Sequence, residues 1–481
     1  MNMMTQNSLV DQGKQEKDST NVILLNGVSG HNNPANSYTG LTLEQMEQRF
    51  VFLTQTGNIY DKFTGELFGG FALFKQAYAA CTHEIPVTDA NGKVTLKAVP
   101  TVQLWMKSER RETKRNLTFA PGQPPLIRDG ALEFINVWRK IQSHRCVNTA
   151  LAQPIVDLIN ALFTDQADDF LDGLAYHWQH PEAQFNHAWL HVSDQTGTGR
   201  GRLTRALSAT WDGELAVIDD LSPFKSGTGI FSDRIIGKTF YVVEEMAEIA
   251  KDKYQAVASL NNAVTKDSLW INPKGEKGYE QLHRAFIFVQ SNELDCMPIL
   301  NKDSRWKVAH YAGNQPFPNE WFKAFNDQCQ PDGDMIIAFR QLLNERDVSH
   351  YNCGRVRECS AAKRLVIEET KSELQRNVEA LISGWKCPYL PTAWVKIILK
   401  DMGNGPVVDA ALSKTLKEAG CHAMARVTRI TTTTVCRCWV LPGYDNRKGV
   451  KEELNALMLD VFGAIPVTLT DDQVLQLYCH E

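Results

Sequence analysis

The 481-residue sequence lacks any apolar run close to the roughly 20 residues that a membrane-spanning helix needs. Its beginning, MNMMTQNSLVDQGKQEKDSTN, is polar and lacks the apolar core of a secretory signal peptide. The net charge is −5, so no overall basic excess marks the chain as a nucleic-acid-binding protein. These absences argue against a membrane protein, predict a cytoplasmic location, and leave any nucleic-acid binding to local basic patches.

Repeated CxxC pairs are also absent, although the chain contains 11 cysteines. In a long cytoplasmic chain we expect these cysteines to be reduced thiols. Two groupings suggest a metal site: His350 with Cys353 and Cys359, and Cys436 with Cys438. Neither has the tetrahedral ligand spacing of a zinc site, so metal binding is not predicted at either.

The hydrophobic patterning predicts an α/β protein of five segments. Residues 1–40 have the polar composition of a disordered tail, and residues 41–149 form a small α+β region. Strands alternating with helices in residues 150–331 predict a parallel sheet with crossover helices. Residues 332–387 are largely helical in pattern. Residues 388–481 predict two helices and then a hairpin, the element order of a winged-helix-like unit.

A glycine-rich turn, DQTGTGRG, follows the predicted strand AWLHVS. It aligns with the phosphate-binding pattern G-x-x-x-x-G-K-[ST], in which backbone N–H groups and a helix N-terminus face phosphate. Gly197, Gly199 and Gly201 permit the close backbone approach that this task requires, and Thr198 belongs to the same predicted phosphate-binding loop. Arg200 stands at the lysine position, and Gly201 removes the hydroxyl that usually contacts Mg²⁺. Taken alone, the loop is weak evidence for a nucleotide site, and an ordinary glycine-rich turn explains it more readily.

Further polar residues lie at or near the ends of later predicted strands. FYVVEE ends in Glu244 and Glu245, where one carboxylate can hold Mg²⁺ while its neighbour polarises an attacking water. FIFVQSN ends in Asn292, which can orient water near a γ-phosphate. Arg305, in NKDSRWKV, can reach a neighbouring subunit's phosphate as an arginine finger. The alternatives are a solvated helix start for the glutamates, a turn residue for Asn292 and a surface charge for Arg305.

The order of these features resembles superfamily 3 helicases, in particular the helicase portion of phage and plasmid primase–helicases. The resemblance covers roughly residues 45–385 and includes the segments FAPGQPPLIRDGALEFINVWR and VTKDSLWINPKGEKGYEQLHRAFIFVQSN. It implies a P-loop NTPase core of the AAA+-like type that uses ATP and Mg²⁺, assembles as a hexameric ring and translocates on single-stranded DNA. It also implies that WINPKGEKGYEQ is a central-channel hairpin whose Lys274 and Lys277 contact DNA phosphates. An exposed charged hairpin tip is the alternative.

Basic residues in the C-terminal unit indicate a possible contact with duplex DNA. They lie on its second predicted helix and on its hairpin: Lys414, Lys417, Arg426, Arg429 and Arg437. Winged-helix units place basic side chains against duplex DNA, but they also serve as protein-interaction modules. Both roles therefore stay open for this unit.

Three functions follow from the sequence. The first is an ATP-dependent DNA helicase or ATPase for the replication of a phage, plasmid or other mobile element. The second, motivated by the changed loop, is a non-catalytic DNA-binding or assembly protein on an altered ATPase scaffold. The third is an initiator that finds an origin through its C-terminal unit. A catalytic primase domain is not predicted, because about 100 residues between tail and core are too few for one.

Overall fold

The computed structural model describes residues 40–142, 145–224, 232–246, 253–272, 278–300, 302–356, 358–444 and 449–479. The tail predicted for residues 1–40 lies, apart from Gly40, outside these described ranges. Within them, no helix is both long and apolar enough to cross a bilayer.

The chain divides into two compact units. The first contains the described residues up to 296 and those of 302–363, and the second contains those of 297–301 and 364–481. The helical segment predicted over residues 332–387 is thus shared between the units.

The first unit begins with an α+β region. Its helices are α1 (Leu43–Arg49), α2 (Phe71–Ala77) and α3 (Thr101–Lys107). Its strands are β1 (Phe50–Leu53), β2 (Ile59–Asp61), β3 (Leu67–Phe68), β4 (Thr82–Thr88), β5 (Val94–Pro100), β6 (Glu112–Lys114), β7 (Asn116–Thr118), β8 (Leu126–Asp129) and β9 (Leu132–Asn136). They form three small sheets, ordered β3–β2–β1–β6, β4–β5 and β7–β9–β8. Buried aromatic side chains, including Phe50, Phe74 and Trp105, pack edge to face and tilted beneath the first of these sheets.

The remainder of the first unit is an α/β core. Its helices are α4 (Gln153–Phe163), α5 (Ala167–Gln179), α6 (Arg200–Thr210), α7 (Lys253–Thr265), α8 (Asn319–Gln328) and α9 (Asp334–Glu345). Its strands are β10 (Ala188–Ser193), β11 (Leu215–Ile218), β12 (Phe240–Val243), β13 (Ser268–Ile271), β14 (Tyr279–Leu282), β15 (Phe286–Ser291) and β16 (Trp306–Tyr311). Short 3₁₀ helices lie at Thr149–Ala152, Thr164–Gln166, Ser222–Phe224, Asp233–Ile235 and Leu294–Cys296.

Five strands of this core form one sheet in the order β11–β12–β15–β10–β16, and every adjacent pair is parallel. All six residues of β10 and all six of β15 are buried. Helices on both faces bury a parallel sheet, which explains why these strands read as nearly continuous apolar runs. The parallel sheet predicted from the sequence is confirmed.

The core is held together by apolar side chains from the sheet and from α4, α5, α6, α8 and α9. Phe170, Trp189, Phe240, Phe286 and Phe288 are all buried in one cluster with apolar residues of these helices. Offset and edge-to-face contacts among such rings add to the free energy gained from burial alone. This packing fixes the strands, so the residues that follow their carboxyl ends are held at defined positions.

The second unit mixes helices with short strands. Its helices are α10 (Ala361–Thr370, which begins in the first unit), α11 (Glu373–Gly384), α12 (Thr392–Asp401), α13 (Asp409–Glu418), α14 (Val450–Phe462) and α15 (Asp471–Cys479). Its strands are β17 (Tyr389–Pro391), β18 (His422–Ala423), β19 (Thr428–Arg429), β20 (Val435–Cys436) and β21 (Cys438–Val440). They form a three-stranded sheet, β17–β21–β18, and a separate two-stranded pair, β19–β20.

Candidate functional site

The glycine-rich loop connects the carboxyl end of β10 to the first turn of α6. Gly197 and Gly199 have φ angles of 75° and 106°, a region that residues with a Cβ rarely adopt. A Cβ on Gly199 would also lie 2.8 Å from Cε1 of Phe322, so the loop backbone packs directly against α8. Gly201 differs, because its φ is not positive and a Cβ there would meet open space. Glycine is therefore required at Gly199 by conformation and by packing together.

A cavity of about 780 Å³ opens at the carboxyl edge of the parallel sheet. This volume is within the range, about 300–1,000 Å³, of small-molecule sites in proteins. Its lining comprises Thr196, Gly197, Thr198, Gly199, Arg200, Gly201, Arg202, Glu244, Glu245, Gln290, Asn292, Gln315, Asn319, Phe322, Lys323 and Asn326. The structure thus brings the loop, the acidic pair and Asn292 together around one space.

Strand order explains this convergence. β15 lies directly between β10, which leads into the loop, and β12, which leads into the acidic pair. In the register, Val192 of β10 pairs with Ser291 of β15, and Val243 of β12 pairs with Val289. Asn292 follows Ser291 at once and therefore emerges between the two neighbouring strand ends.

The side chain of Asn292 connects the loop to the acidic pair. Its amide nitrogen donates to Oε2 of Glu245 at 2.6 Å, and its Oδ1 accepts from Nη2 of Arg200. Nη1 of Arg200 donates to the carbonyl oxygen of Ser291 at 2.6 Å. The same guanidinium lies 3.6 Å from Oε1 of Glu245. Arg200, Asn292 and Glu245 therefore form a closed polar triangle at the floor of the cavity.

Arg200 is nearly buried, with 8% of its side chain exposed. Burial lowers the pKa of its guanidinium, while the carboxylates of Glu245 and Glu244 oppose that change. A guanidinium nevertheless stays charged at neutral pH, because its ordinary pKa exceeds about 12. A fixed positive charge thus lies beneath the loop, with the neighbouring carboxylates partly compensating it.

Glu245 has a φ of 50°, one of two positive φ values among the described non-glycine residues. Such a conformation costs roughly 1–3 kcal/mol and persists only where the surroundings enforce it. Here the hydrogen bond from Asn292 and the nearby Arg200 hold the carboxylate in the cavity. Strain at a polar residue in a cleft is typical of functional sites.

The cavity offers ligand groups of two kinds. Successive N–H groups of the loop and of the α6 N-terminus can hold an anion. The carboxylates of Glu244 and Glu245 can ligate a hard divalent cation. Thr198 is 1% exposed, and within the described chain its Oγ1 has no hydrogen-bond partner. Gly201 has no hydroxyl, and none of the cavity-lining residues after the loop provides one in its place.

The structure does not bring Arg305 to this cavity. Arg305 immediately precedes β16 at the amino edge of the sheet, where its carbonyl accepts from the N–H of Ala188 at 2.8 Å. Its Nε and Nη2 each lie 2.8 Å from the carboxylate oxygens of Asp303. An arginine-finger role for Arg305 can therefore concern only the cavity of another subunit, and it stays a prediction.

Lys274 and Lys277, predicted to contact DNA, lie outside the described residues. The strands on either side of them, β13 and β14, pair antiparallel from Ser268 with Leu282 to Ile271 with Tyr279. Their predicted DNA contact stays untested.

Five basic residues of the second unit are exposed: Lys414, Lys417, Arg426, Arg429 and Arg437. Lys414 and Lys417 lie on α13, and Arg429 lies on β19.

The residues suggested as metal ligands have ordinary partners. Nε2 of His350 lies 2.8 Å from Oδ2 of Asp172, and Sγ of Cys353 lies 3.9 Å from the hydroxyl of Tyr176. Cys436 and Cys438 interact with each other. Among the described residues, no group of three or more His, Cys, Asp or Glu side chains is arranged to hold a metal ion.

The sequence does not predict one wall of the cavity. It is formed by α8 and the segment before it, through Gln315, Asn319, Lys323 and Asn326. Phe322 and Phe325 anchor this helix in the core, which turns the polar side chains toward the loop. The pattern QPFPNEWFKAFNDQ predicts an amphipathic helix, but nothing in it indicates which element its polar face meets.

Three comparisons place the chain among known proteins. Residues 191–305 match a family model described as a family of unknown function (DUF5906). Over 269 residues the chain is 22% identical to the DNA primase-polymerase of Nitratiruptor phage NrS-1. This match covers 55% of this chain and 36% of that protein. The chain thus matches about a third of the length of this curated relative.

Solved structures of the NrS-1 C-terminal region share the fold of this chain. The match to one apo structure has a TM-score of 0.59 at 15% identity. It covers 82% of this chain and 95% of the chain in that structure. A second, the A form, has a TM-score of 0.55 at 14% identity and covers 82% and 96%. The chain is therefore similar to part of a phage primase-polymerase and has the fold of that protein's C-terminal region.

Proposed function

We propose that the chain is an ATP-dependent DNA helicase or ATPase that acts in the replication of a phage, plasmid or other mobile element. The observation that carries this proposal is the position of Asn292, whose side chain contacts Arg200 of the loop and Glu245 of the acidic pair. Nucleotide hydrolysis needs a phosphate-binding loop, a carboxylate and a residue that positions water close to the reacting phosphate. Similarity to a phage primase-polymerase supports the replication role.

The finer fold assignment belongs to this proposal. The parallel sheet, with β15 between the loop strand and the acidic strand, supports a P-loop NTPase core of the AAA+-like type. From α11 the order is helix, strand, two helices and then four strands. The first and last of these four, β18 and β21, form one sheet with β17, and β19 and β20 between them pair separately. This order supports a winged-helix-like unit, in which α13 would be the helix presented to duplex DNA.

The residues present fit ATP with Mg²⁺. The loop backbone and the α6 N-terminus suit the phosphates, and the unpartnered Oγ1 of Thr198 provides one further polar atom at the loop. Glu244 would hold Mg²⁺, which in proteins commonly takes one or two carboxylates, substrate phosphates and several waters. When bound, Mg²⁺ supplies charge neutralisation at the phosphates. Because Gly201 has no hydroxyl, Glu244 and water would provide more of the Mg²⁺ ligands.

Glu245 would orient the attacking water and accept its proton. The hydrogen bond from Asn292 fixes Oε2, and Arg200 lies close to Oε1, so the carboxylate is held in one orientation. A fixed carboxylate beside an anion site keeps water within reach of the phosphate without reorganising at each turnover. Gln290, whose amide donates to Oγ1 of Thr204 at 3.1 Å, supports α6 from β15 behind the loop.

The direct test is ATP hydrolysis by the purified chain, with and without single-stranded DNA, at millimolar ATP and Mg²⁺. We expect hydrolysis that single-stranded DNA stimulates, and displacement of a strand from a forked duplex. Absence of both ATP binding and DNA-stimulated hydrolysis would contradict the proposal.

The proposal includes a homo-oligomer, in the form of a hexameric ring. Arg305 at the amino edge would then serve a neighbouring subunit's cavity, after exchanging its contact with Asp303 for a phosphate. Arg305→Ala and Glu245→Gln should each lack activity alone, and a mixture should recover part of it through composite sites. If the mixture stays inactive while the subunits co-assemble, Arg305 has no role in trans.

Translocation on single-stranded DNA would use Lys274 and Lys277 in the hairpin between β13 and β14. Their double replacement by alanine should weaken single-stranded DNA binding and reduce its dependence on salt concentration. The C-terminal unit would add contact with origin duplex through residues such as Lys417 and Arg429. Their replacement should leave single-stranded DNA binding unchanged while weakening duplex binding.

The contacts of Arg200 favour a second function, that of a non-catalytic DNA-binding or initiator protein. Two of its donors are engaged by Ser291 and Asn292, and the usual hydroxyl at Gly201 is missing. Under this alternative, Glu245→Gln would leave DNA binding and replication of the element unchanged. Loss of replication in the variant, with normal DNA binding, would argue against it.

A further inference from the structure

The cavity contains a cation that neither the loop nor the strand ends provide. Lys323 lies on α8 and lines the same cavity as Gly197 to Gly201. Its helix is anchored on both sides of the lysine by Phe322, 7% exposed, and Phe325, 1% exposed. Phe322 is packed so closely on Gly199 that an added Cβ would lie 2.8 Å from its ring. The backbone of Lys323 is therefore held at a fixed position relative to the loop.

Arg200 is poorly placed to bind a phosphate. Its Nη1 and Nη2 already donate to Ser291 and Asn292, and Glu245 is 3.6 Å away. An incoming phosphate would have to break these contacts and would then approach a carboxylate. Those contacts instead place Arg200 as a support for the polar ends of β12 and β15.

Lys323 has the opposite properties. Its side chain is exposed to the cavity, and across the described ranges it has no ion pair or hydrogen bond that would hold it elsewhere. An ammonium on a flexible four-carbon stem can follow a phosphate as a compact point charge, as the loop lysine of ordinary phosphate-binding loops does. Asn319 and Asn326, one turn away on each side, line the same wall and would flank the bound group.

We propose that Lys323 supplies the positive charge that binds the terminal phosphates, while Arg200 positions Asn292 and Glu245. The proposal rests on the assignment of this cavity to a nucleotide and transfers the phosphate-binding cation from the loop to α8, the helix that packs against it. Arg202 also lines the cavity and is exposed, so it is the competing candidate. It lies two residues into α6, the helix that begins at Arg200.

The test is equilibrium binding of ATP, ADP and inorganic tripolyphosphate, each with Mg²⁺, to the full chain. Lys323→Ala should weaken ATP binding about tenfold or more, as expected for loss of a charge-assisted contact, with a smaller loss for ADP. Lys323→Arg should recover most of the affinity. Lys97→Ala, which removes an exposed lysine from β5, is the matched control and should leave ATP binding unchanged.

Steady-state kinetics distinguish the role of Lys323 from that of Arg200. Lys323→Ala should raise KM for ATP, whereas Arg200→Gln should mainly lower kcat, because it disturbs Glu245 rather than the phosphate. Equal ATP affinity of wild type and Lys323→Ala would overturn the proposal, as would a loss confined to Arg202→Ala. Lys323-dependent binding of tripolyphosphate without ATP binding would support Lys323 and refute the nucleotide function. Wild type that binds none of the three probes would overturn both.

Discussion

The two edges of the five-stranded sheet carry similar residue types in different settings. At the carboxyl edge, Glu245 and Arg200 line a cavity of about 780 Å³. At the amino edge, Arg305 is paired with Asp303, and Glu214 accepts hydrogen bonds from Trp138 at 3.2 Å and Thr239 at 2.8 Å. The difference shows that residue type alone does not identify a site. What distinguishes the carboxyl edge is space for a ligand beside charges that protein contacts hold in place.

The largest effect is expected from Glu245→Gln at the carboxyl edge. The amide keeps the size of the side chain but cannot accept a proton from water, so ATP hydrolysis should fall by about 100-fold or more. ATP binding should persist, because the amide adds no steric conflict. The measurement is phosphate release at saturating ATP, alongside ATP affinity.

The matched control is Glu293→Gln, which removes an exposed carboxylate next to Asn292 that does not line the cavity. This variant should hydrolyse ATP within about twofold of wild type, since an exposed ion pair such as that of Glu293 with Lys253, at 3.9 Å, contributes little. Equal losses in both variants would show that general charge near the strand ends, rather than Glu245 itself, sustains hydrolysis.

The next largest effect is expected from Gly199→Ala, with Gly201→Ala as its partner. Alanine at Gly199 meets both a φ of 106° and the Phe322 ring, so the loop should shift and the free energy of unfolding should fall by about 1–3 kcal/mol. Alanine at Gly201 meets neither and should be neutral or stabilising by up to about 1 kcal/mol. Urea unfolding and ATP affinity check the pair. Similar behaviour of the two variants would contradict the loop geometry.

Arg200→Lys is expected to have a smaller effect. Lysine offers one compact charge and cannot contact Ser291 and Asn292 in the way that the forked guanidinium does, so kcat should fall about tenfold. Arg205→Lys, at an exposed arginine of the same helix that does not line the cavity, is the control. Higher activity in Arg200→Lys would instead show that the native loop is an attenuated version of the standard one.

Much of this cavity could be predicted from the sequence, because its strands are short apolar runs that end in polar residues. AWLHVS corresponds to β10 residue for residue, and Glu244 and Glu245 follow β12 where its apolar run ends. Asn292 follows β15, which continues two polar residues beyond its apolar run. Parallel pairing then brings their carboxyl ends to one edge. Local pattern and a general rule of sheet topology were sufficient.

The remainder depended on long-range packing. Nothing local indicates that Phe322 packs on Gly199, 123 positions earlier, and so brings Lys323 to the cavity. The inward contacts of Arg200 likewise depend on β15 lying next to β10, although nearly 100 residues separate the two strands. The sequence predicted Arg305 as part of the same machinery, and only the strand register places it at the opposite edge.

The smallest effect is expected at the amino edge, from Glu214→Gln. Burial raises the pKa of the Glu214 carboxyl to about 7, against the hydrogen bonds from Thr239 and Trp138 and the charge of Lys238. The folded protein therefore binds this proton more tightly than the unfolded chain does. The resulting stability is fully present below about pH 4.5, declines as pH rises toward 7, and is lost above it.

Glutamine mimics the protonated carboxyl, so the two proteins should be about equally stable at pH 5. At pH 8 Glu214→Gln should be more stable by up to about 3 kcal/mol, because wild type then buries a carboxylate. Buried histidines such as His177, whose pKa burial lowers to about 4, make stability rise with pH in both proteins and cancel in the difference. A difference that does not vary with pH would show that Glu214 is not buried as a neutral acid. Unchanged ATP binding at both pH values would separate this edge from the cavity, because Glu214 contacts Trp138 and Thr239 and does not line that cavity.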